Sequence, residues 1–179
     1  VEGMGLPFNI QEQAPREKAI FAPNAYFDIP ATGGWEDKPI LILQAHMDMV
    51  YVNMNDSTGK EKRTYKIHLE RTTDENGEPI IRSVKDYEDQ ETHEMMGATN
   101  IGADDGVGVA TMLTLAKYRD QFNHGAIRCI LTTDEELGAH GASYVPKEWC
   151  QYDGNTINYL LNLDNNTLDY IVMASAGLY

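Results

Sequence analysis

Residues 39–48 read Pro39-Ile40-Leu41-Ile42-Leu43-Gln44-Ala45-His46-Met47-Asp48. A short, continuous apolar run with no polar alternation suits a strand buried on both faces, and this one stops abruptly on a histidine and a carboxylate. Two further runs repeat the pattern. Ala126 to Thr132 leads straight into Asp134-Glu135-Glu136, and Tyr159 to Leu163 leads into Asp164. A fourth apolar run covers Tyr170 to Ala174. Between the first two strands, Val107, Val109, Ala110, Met112, Leu113, Leu115, Ala116 and Tyr118 carry helical periodicity behind a Gly-rich turn that holds Asp104 and Asp105. Strands alternating with helical segments predict an α/β fold with a mixed, largely parallel central sheet.

The other segments are less regular. Up to about residue 25, Pro7, Pro15 and Pro23 break short apolar stretches, which read as loops and short strands. Residues 51–97 are rich in charged side chains. There the alternation in Tyr65-Lys66-Ile67-His68-Leu69, the turn at Asn76-Gly77 and the run Pro79 to Val84 predict exposed antiparallel strands, an insertion or hairpin excursion instead of a second domain. A short helix is expected after Glu136, ended by Pro146.

Composition narrows the function. The chain has 179 residues, with 14 Lys and Arg against 28 Asp and Glu, a net charge of −14. That balance argues against nucleic acid, whose phosphates call for clustered cations. No apolar run has the roughly 18 to 20 residues that span a bilayer, so no membrane role is expected. Cys129 and Cys150 are the only cysteines, and Cys129 sits inside an apolar run. A disulfide framework is therefore not expected, and a reducing, cytoplasmic compartment is.

In α/β sheets ligands gather outside the carboxyl ends of strands, where His46, Asp48, Glu135, Glu136 and Asp164 all fall. Several ionised carboxylates in one crevice repel each other, and a divalent cation offsets that repulsion. One imidazole with carboxylate oxygens suits zinc, and manganese or cobalt fit the same donors. Asp48 is placed to accept the second imidazole proton of His46. Of the adjacent pair Glu135 and Glu136, one can bind metal while the other acts as general base. Each motif alone has an ordinary reading: a structural His-x-Asp after a strand, a tight turn with an N-cap over Gly102 to Gly106, acidic residues favouring a helix dipole. Their order, each at an element boundary, makes the combination specific. Of the remaining histidines, His68 and His93 read as solvated and His124 as closing a turn. His140 would share a face with Glu136 if one helix joined them.

Four motifs, Leu43-Gln44-Ala45-His46-Met47-Asp48-Met49-Val50, Ile101 to Gly108, Thr132 to Gly138 and Asn162-Leu163-Asp164, resemble the successive signatures of the co-catalytic zinc exopeptidases. That group includes aminoacyl-histidine dipeptidase, peptidase T, carnosinase, aminoacylase and carboxypeptidase G, and the motifs are most similar to the aminoacyl-histidine dipeptidase branch. The resemblance implies a three-layer zinc-exopeptidase-like fold and two zinc ions. Asp104 would bridge them, His46 and Asp164 would complete one, and Glu136 would bind the other. Glu135 would be the general base and Asp48 would orient His46, with a cis peptide between Asp104 and Asp105. The expected activity is metal-dependent hydrolysis of dipeptides or short peptides. Hydrolysis of N-acylated amino acids on the same fold, and a non-catalytic binding module, are the alternatives. The resemblance further implies that residues 1–179 are the N-terminal part of a catalytic domain incomplete at both ends, lacking a distal His ligand and a dimerisation or lid domain. Taken alone, this stretch would then show little activity, and the full-length protein is compatible with a homodimer.

Overall fold

The computed structural model describes residues 1–11, 23–49, 54–55, 61–62, 69–84, 87–88, 93, 95–96, 101–136, 138–150 and 159–165. The apolar run at 170–174 and His68 lie outside them. In chain order the strands are β1 (Phe8–Ile10), β2 (Ala25–Ile29), β3 (Leu41–His46), β4 (Met54–Asn55), β5 (Glu61–Lys62), β6 (Leu69–Thr73), β7 (Pro79–Ser83), β8 (Tyr87–Glu88), β9 (Met95–Met96), β10 (Ile127–Thr132) and β11 (Tyr159–Asn162). The helices are α1 (Gly106–Tyr118) and α2 (His140–Ser143). The chain divides into two units, one of Val1–Asp48 with Ala103–Tyr179 and one of Met49–Gly102.

The first unit is built on a sheet of order β1-β2-β10-β3-β11. β3 pairs in parallel with β10, setting His46 beside Thr132, and in parallel with β11, setting Gln44 beside Asn162. β2 runs antiparallel to both β10 and β1. The sheet is thus mixed, and its three parallel strands are those that end in His46, in Thr132 before Asp134, and in Asn162 before Asp164. Parallel pairing in this register brings those carboxyl ends to one edge.

Both faces of β3 are covered, which explains its unbroken apolar run. Leu43 and Ala45 pack with Phe27, Ile29, Cys129 and Leu131 and with Met112 and Ala116 of α1, all buried. Ile40 and Ile42 point the other way and pack with Ile130, Tyr26 and Trp149. Burying one such side chain contributes roughly 1.5–3 kcal/mol. In α1 the buried residues are Gly108, Met112 and Ala116, spaced four apart on one stripe. Asp105 caps the helix, its carboxylate accepting the Gly108 N–H at 3.0 Å. A Cβ at Gly108 would lie 2.5 Å from Asp105 Oδ1, so the cap depends on glycine there.

Local expectations shift. β2 follows the proline-broken N-terminal stretch at a place where no strand is expected from sequence, although Ala25, Phe27 and Ile29 are buried and Tyr26 and Asp28 are not, a period of two. β3 starts at Leu41, two residues after Pro39, whose ring nitrogen has no proton for a ladder. After Glu136 the chain turns instead of coiling: Asp134, Gly138 and Ala139 have φ of 56°, 110° and 55°, and α2 begins only at His140. Left-handed residues break a right-handed helix, so Glu136 and His140 share no helical face.

The second unit consists of antiparallel pairs, β4 with β5, β6 with β7, and β8 with β9. The β6–β7 hairpin turns at Asn76-Gly77 as its sequence predicts. Asp74 Oδ1 accepts the N–H groups of Asn76 and Glu78, both at 2.8 Å, and Gly77 takes a φ of 84°. Across the hairpin Arg82 Nε meets Glu70 Oε1 at 2.6 Å.

Candidate metal centre

His46, the last residue of β3, is buried on the sheet face opposite α1. Beneath it, a polar ladder crosses the three parallel strands: Gln44 donates to Thr132 Oγ1 at 2.9 Å and accepts from the Asn162 amide. The imidazole is engaged at both nitrogens. Nδ1 lies 2.9 Å from the main-chain oxygen of Asp48, and Nε2 lies 2.9 Å from Asp104 Oδ1 and 4.0 Å from Asp164 Oδ2. A carbonyl can only accept, so Nδ1 carries the proton and the Nε2 lone pair faces the carboxylates when the ring is neutral. Burial pulls the imidazole pKa down. The hydrogen bond to Asp104, the Asp48 carbonyl and the charges of both aspartates outweigh it and hold the pKa above its ordinary 6.5.

Asp48 does more with its backbone than the motif suggests. Its carboxylate stands 3.5 Å from Nδ1, farther than its own carbonyl. That carboxylate instead accepts the main-chain N–H of Glu135 at 3.2 Å and of Glu136 at 3.3 Å, one on each oxygen. The end of β3 is thereby tied to the turn after β10.

Asp104 and Asp105 divide their work by orientation. The peptide between them is cis. Asp104 points to His46 with its side chain 59% exposed, whereas Asp105 is turned inward to cap α1 and is buried. Burial pushes the Asp105 carboxyl up, and its Oδ2 has no hydrogen-bond partner among the described residues.

The Glu135 and Glu136 turn is closed by main-chain bonds from Gly138 and Ala139 to the Glu135 carbonyl and from His140 to the Asp134 carbonyl. Burial raises the Glu135 carboxyl pKa; a charged His46 opposes this, and the Asp164, Glu136 and Asp48 charges add to it. Asp134 is buried, and its carboxyl is likewise pushed up, by burial and then by Asp48, against an opposing effect of His140.

Two groups of potential ligand atoms result, each confined within 4.8 Å: His46 with Asp104 and Asp164, and His46 with Glu135 and Glu136. One nitrogen with carboxylate oxygens fits a divalent cation of the zinc type. The five other site residues named from sequence, Asp48, Asp104, Glu135, Glu136 and Asp164, therefore lie around His46. One contributor had no sequence signal: Asn24, buried before β2 in a stretch that reads as loop, bonds to both ends of the Glu135 turn. Its partners are more than a hundred residues away, and only a buried polar residue ahead of an alternating strand hints at it.

The model of peptidase family M28 matches residues 28–170. This chain belongs to that family. Its M28 membership is accompanied by similarity to the cytosol non-specific dipeptidase of Escherichia coli, 33% identical over 148 residues, covering 83% of this chain and 25% of that protein. Peptidase T of Lactobacillus helveticus is 27% identical over 120 residues, 63% of this chain and 29% of that one. Among solved structures, the aminoacylhistidine dipeptidase of Vibrio alginolyticus superposes with a TM-score of 0.54 at 27% identity, over 88% of this chain and 26% of that one. The aminopeptidase PepT of Bacillus cereus superposes with a TM-score of 0.56 over 93% of this chain and 35% of that one, and at 22% identity it speaks to the fold alone. The M28 chain thus spans about a quarter to a third of the length of these relatives. They agree with the resemblance carried by the four motifs. Family M28 is generally metal-dependent, in keeping with the two ligand groups around His46. Among the described residues, no helix is long and apolar enough to cross a membrane.

Proposed function

We propose that the protein hydrolyses the peptide bond of dipeptides and other short peptides at a two-zinc centre. The observation that carries this reading is the gathering of four carboxylates about one buried imidazole, Asp104 and Asp164 in one group and Glu135 and Glu136 in another; the single free Nε2 of His46 can ligate one cation, so a second cation would rest on carboxylates alone. In the reading, His46, Asp104 and Asp164 would hold one cation and Asp104 with Glu136 would hold the other. When bound, the metal ions supply Lewis acidity to the scissile carbonyl and lower the pKa of water.

The residues of this chain then divide the remaining tasks. His46 offers Nε2 because the Asp48 carbonyl holds the proton on Nδ1. Asp48, by accepting the N–H groups of Glu135 and Glu136, sets where their side chains start. Glu135, whose carboxyl burial raises, is the base that takes a proton from water and passes it to the leaving amine. The dipeptidase and peptidase T relatives support a peptide substrate. The name of the Escherichia coli relative supports a cytoplasmic location.

The test is hydrolysis of a dipeptide panel that includes Xaa-His substrates, by the full-length protein with and without chelator, alongside Glu135→Gln. The variant is expected to lose about 100-fold or more in kcat while keeping its zinc. Activity undiminished after complete metal removal would sink the reading.

A further inference from the structure

We infer that Asn24 is a positioning residue for Glu135 and Glu136, clamping the loop that carries them by joining Thr133 at its start to Gly141 at its end. The inference rests on the roles proposed above for the two glutamates. Asn24 lies outside the segment matched by the family model, four residues before its start at 28.

The geometry is specific to a side-chain amide. Asn24 is 2% exposed. Its Oδ1 accepts the Thr133 N–H at 3.1 Å, and its Nδ2 donates to the Gly141 carbonyl at 2.8 Å and to Gln11 Oε1 at 2.9 Å. The main-chain partners fix which atom is oxygen, since an N–H must meet an acceptor and a carbonyl must meet a donor. Gln11 in turn donates to the Tyr144 carbonyl at 2.6 Å, extending the clamp past α2. Thr133 and Gly141 are in close backbone contact, for a Cβ at Gly141 would fall on the Thr133 carbonyl.

The loop between these points needs such a hold. Asp134 and Ala139 adopt left-handed φ values of 56° and 55°, which non-glycine residues keep only when surroundings impose them. Asp48 secures the middle of the loop through the Glu135 and Glu136 N–H groups, and Asn24 secures its ends. Releasing the ends lets the base and the metal-binding carboxylate drift, and a misplacement near 1 Å costs about 100-fold in rate.

The experiment compares the full-length wild type, Asn24→Ala and Asn24→Asp, with Thr32→Val as a control that removes a hydroxyl bonded to Phe122 and His124, away from the loop. Asn24→Asp keeps shape and the acceptor for Thr133 but loses the amide donor facing Gly141. In metal-free protein, amide exchange over 133–141 is expected to accelerate about tenfold or more in both Asn24 variants, with β3 unchanged. In zinc-loaded protein, zinc affinity and kcat are expected to fall about tenfold or more while KM stays within about twofold, and Thr32→Val shows none of this. Asn24→Asp that folds with wild-type exchange in the loop, wild-type zinc affinity and wild-type kcat overturns the proposal. If Glu135→Gln keeps full turnover, the base assignment fails instead, and the exchange measurement still decides whether Asn24 holds the loop.

Discussion

The carboxylate of Asp48 accepts the main-chain N–H of Glu135 at 3.2 Å, and its second oxygen takes the N–H of Glu136. A residue that the motif assigns to the histidine thus also governs the acidic turn on a neighbouring strand. Hydrogen bonds to a charged acceptor contribute about 1.5–3 kcal/mol when buried, and the Asp48 side chain is 24% exposed. Asp48→Ala is expected to lower the unfolding free energy of the metal-free protein by about 1–3 kcal/mol, with Asp48→Asn between the two. Urea denaturation measures this, and a change under about 0.5 kcal/mol would show that the two N–H bonds carry no weight.

The glycines flanking the cap of α1 behave oppositely. A methyl group at Gly108 would meet both Asp105 oxygens, while nothing lies within 4 Å of a Cβ at Gly106. Losing the cap costs about 0.5–2 kcal/mol and displaces the residue next to Asp104. Gly108→Ala is therefore expected to destabilise the protein despite alanine's better helix propensity, and Gly106→Ala to leave stability equal or higher. Equal melting temperatures for the two variants would contradict the steric argument.

Metal removal should reverse the pH dependence of stability. Without metal, His46 titrates above 6.5, and Asp105, Asp134 and Glu135 titrate above their ordinary 3.8, 3.8 and 4.5. For each of these groups the folded state binds more protons than the unfolded state, so stability falls as pH rises from the ordinary carboxylate value up through the raised imidazole value. Asp74, lowered by its turn hydrogen bonds, has the opposite sign but acts only below 3.8. Metal ligands must be deprotonated, so the stabilisation by zinc grows with pH. Urea midpoints from about pH 5 to about pH 8 should decline in chelator and decline less, or rise, in zinc. Parallel curves would mean that zinc does not bind at His46.

Much of this architecture is legible in the local sequence. The runs at Leu41–His46 and Ile127–Thr132 read as buried strands because both faces of these two parallel strands are covered. Tyr159–Asn162 carries the same apolar signal and is a strand, but Tyr159, Leu160 and Asn162 are exposed, so burial on both faces does not hold there. The helix Gly106–Tyr118 is visible in its periodicity, and its start in the Asp104-Asp105 turn, of which the structure makes Asp105 the cap. The positions of His46, Asp104, Glu135, Glu136 and Asp164 follow from the same boundaries, since a side chain at the carboxyl end of a strand or the start of a helix is placed by the element that precedes or follows it.

Tertiary structure alone decided the rest. Strand order β1-β2-β10-β3-β11 depends on pairings between distant segments that no short window contains. Which carboxylate faces His46 and which turns inward to cap α1, Asp104 or Asp105, depends on the backbone path between them. That Asp48 reaches across to Glu135, 87 residues away, and Asn24 to Gly141, 117 residues away, is set by polar groups finding partners once the chain is closed. Periodicity records which side chains leave water. It does not record which buried donor meets which acceptor, because that choice is made between elements and only after they have packed.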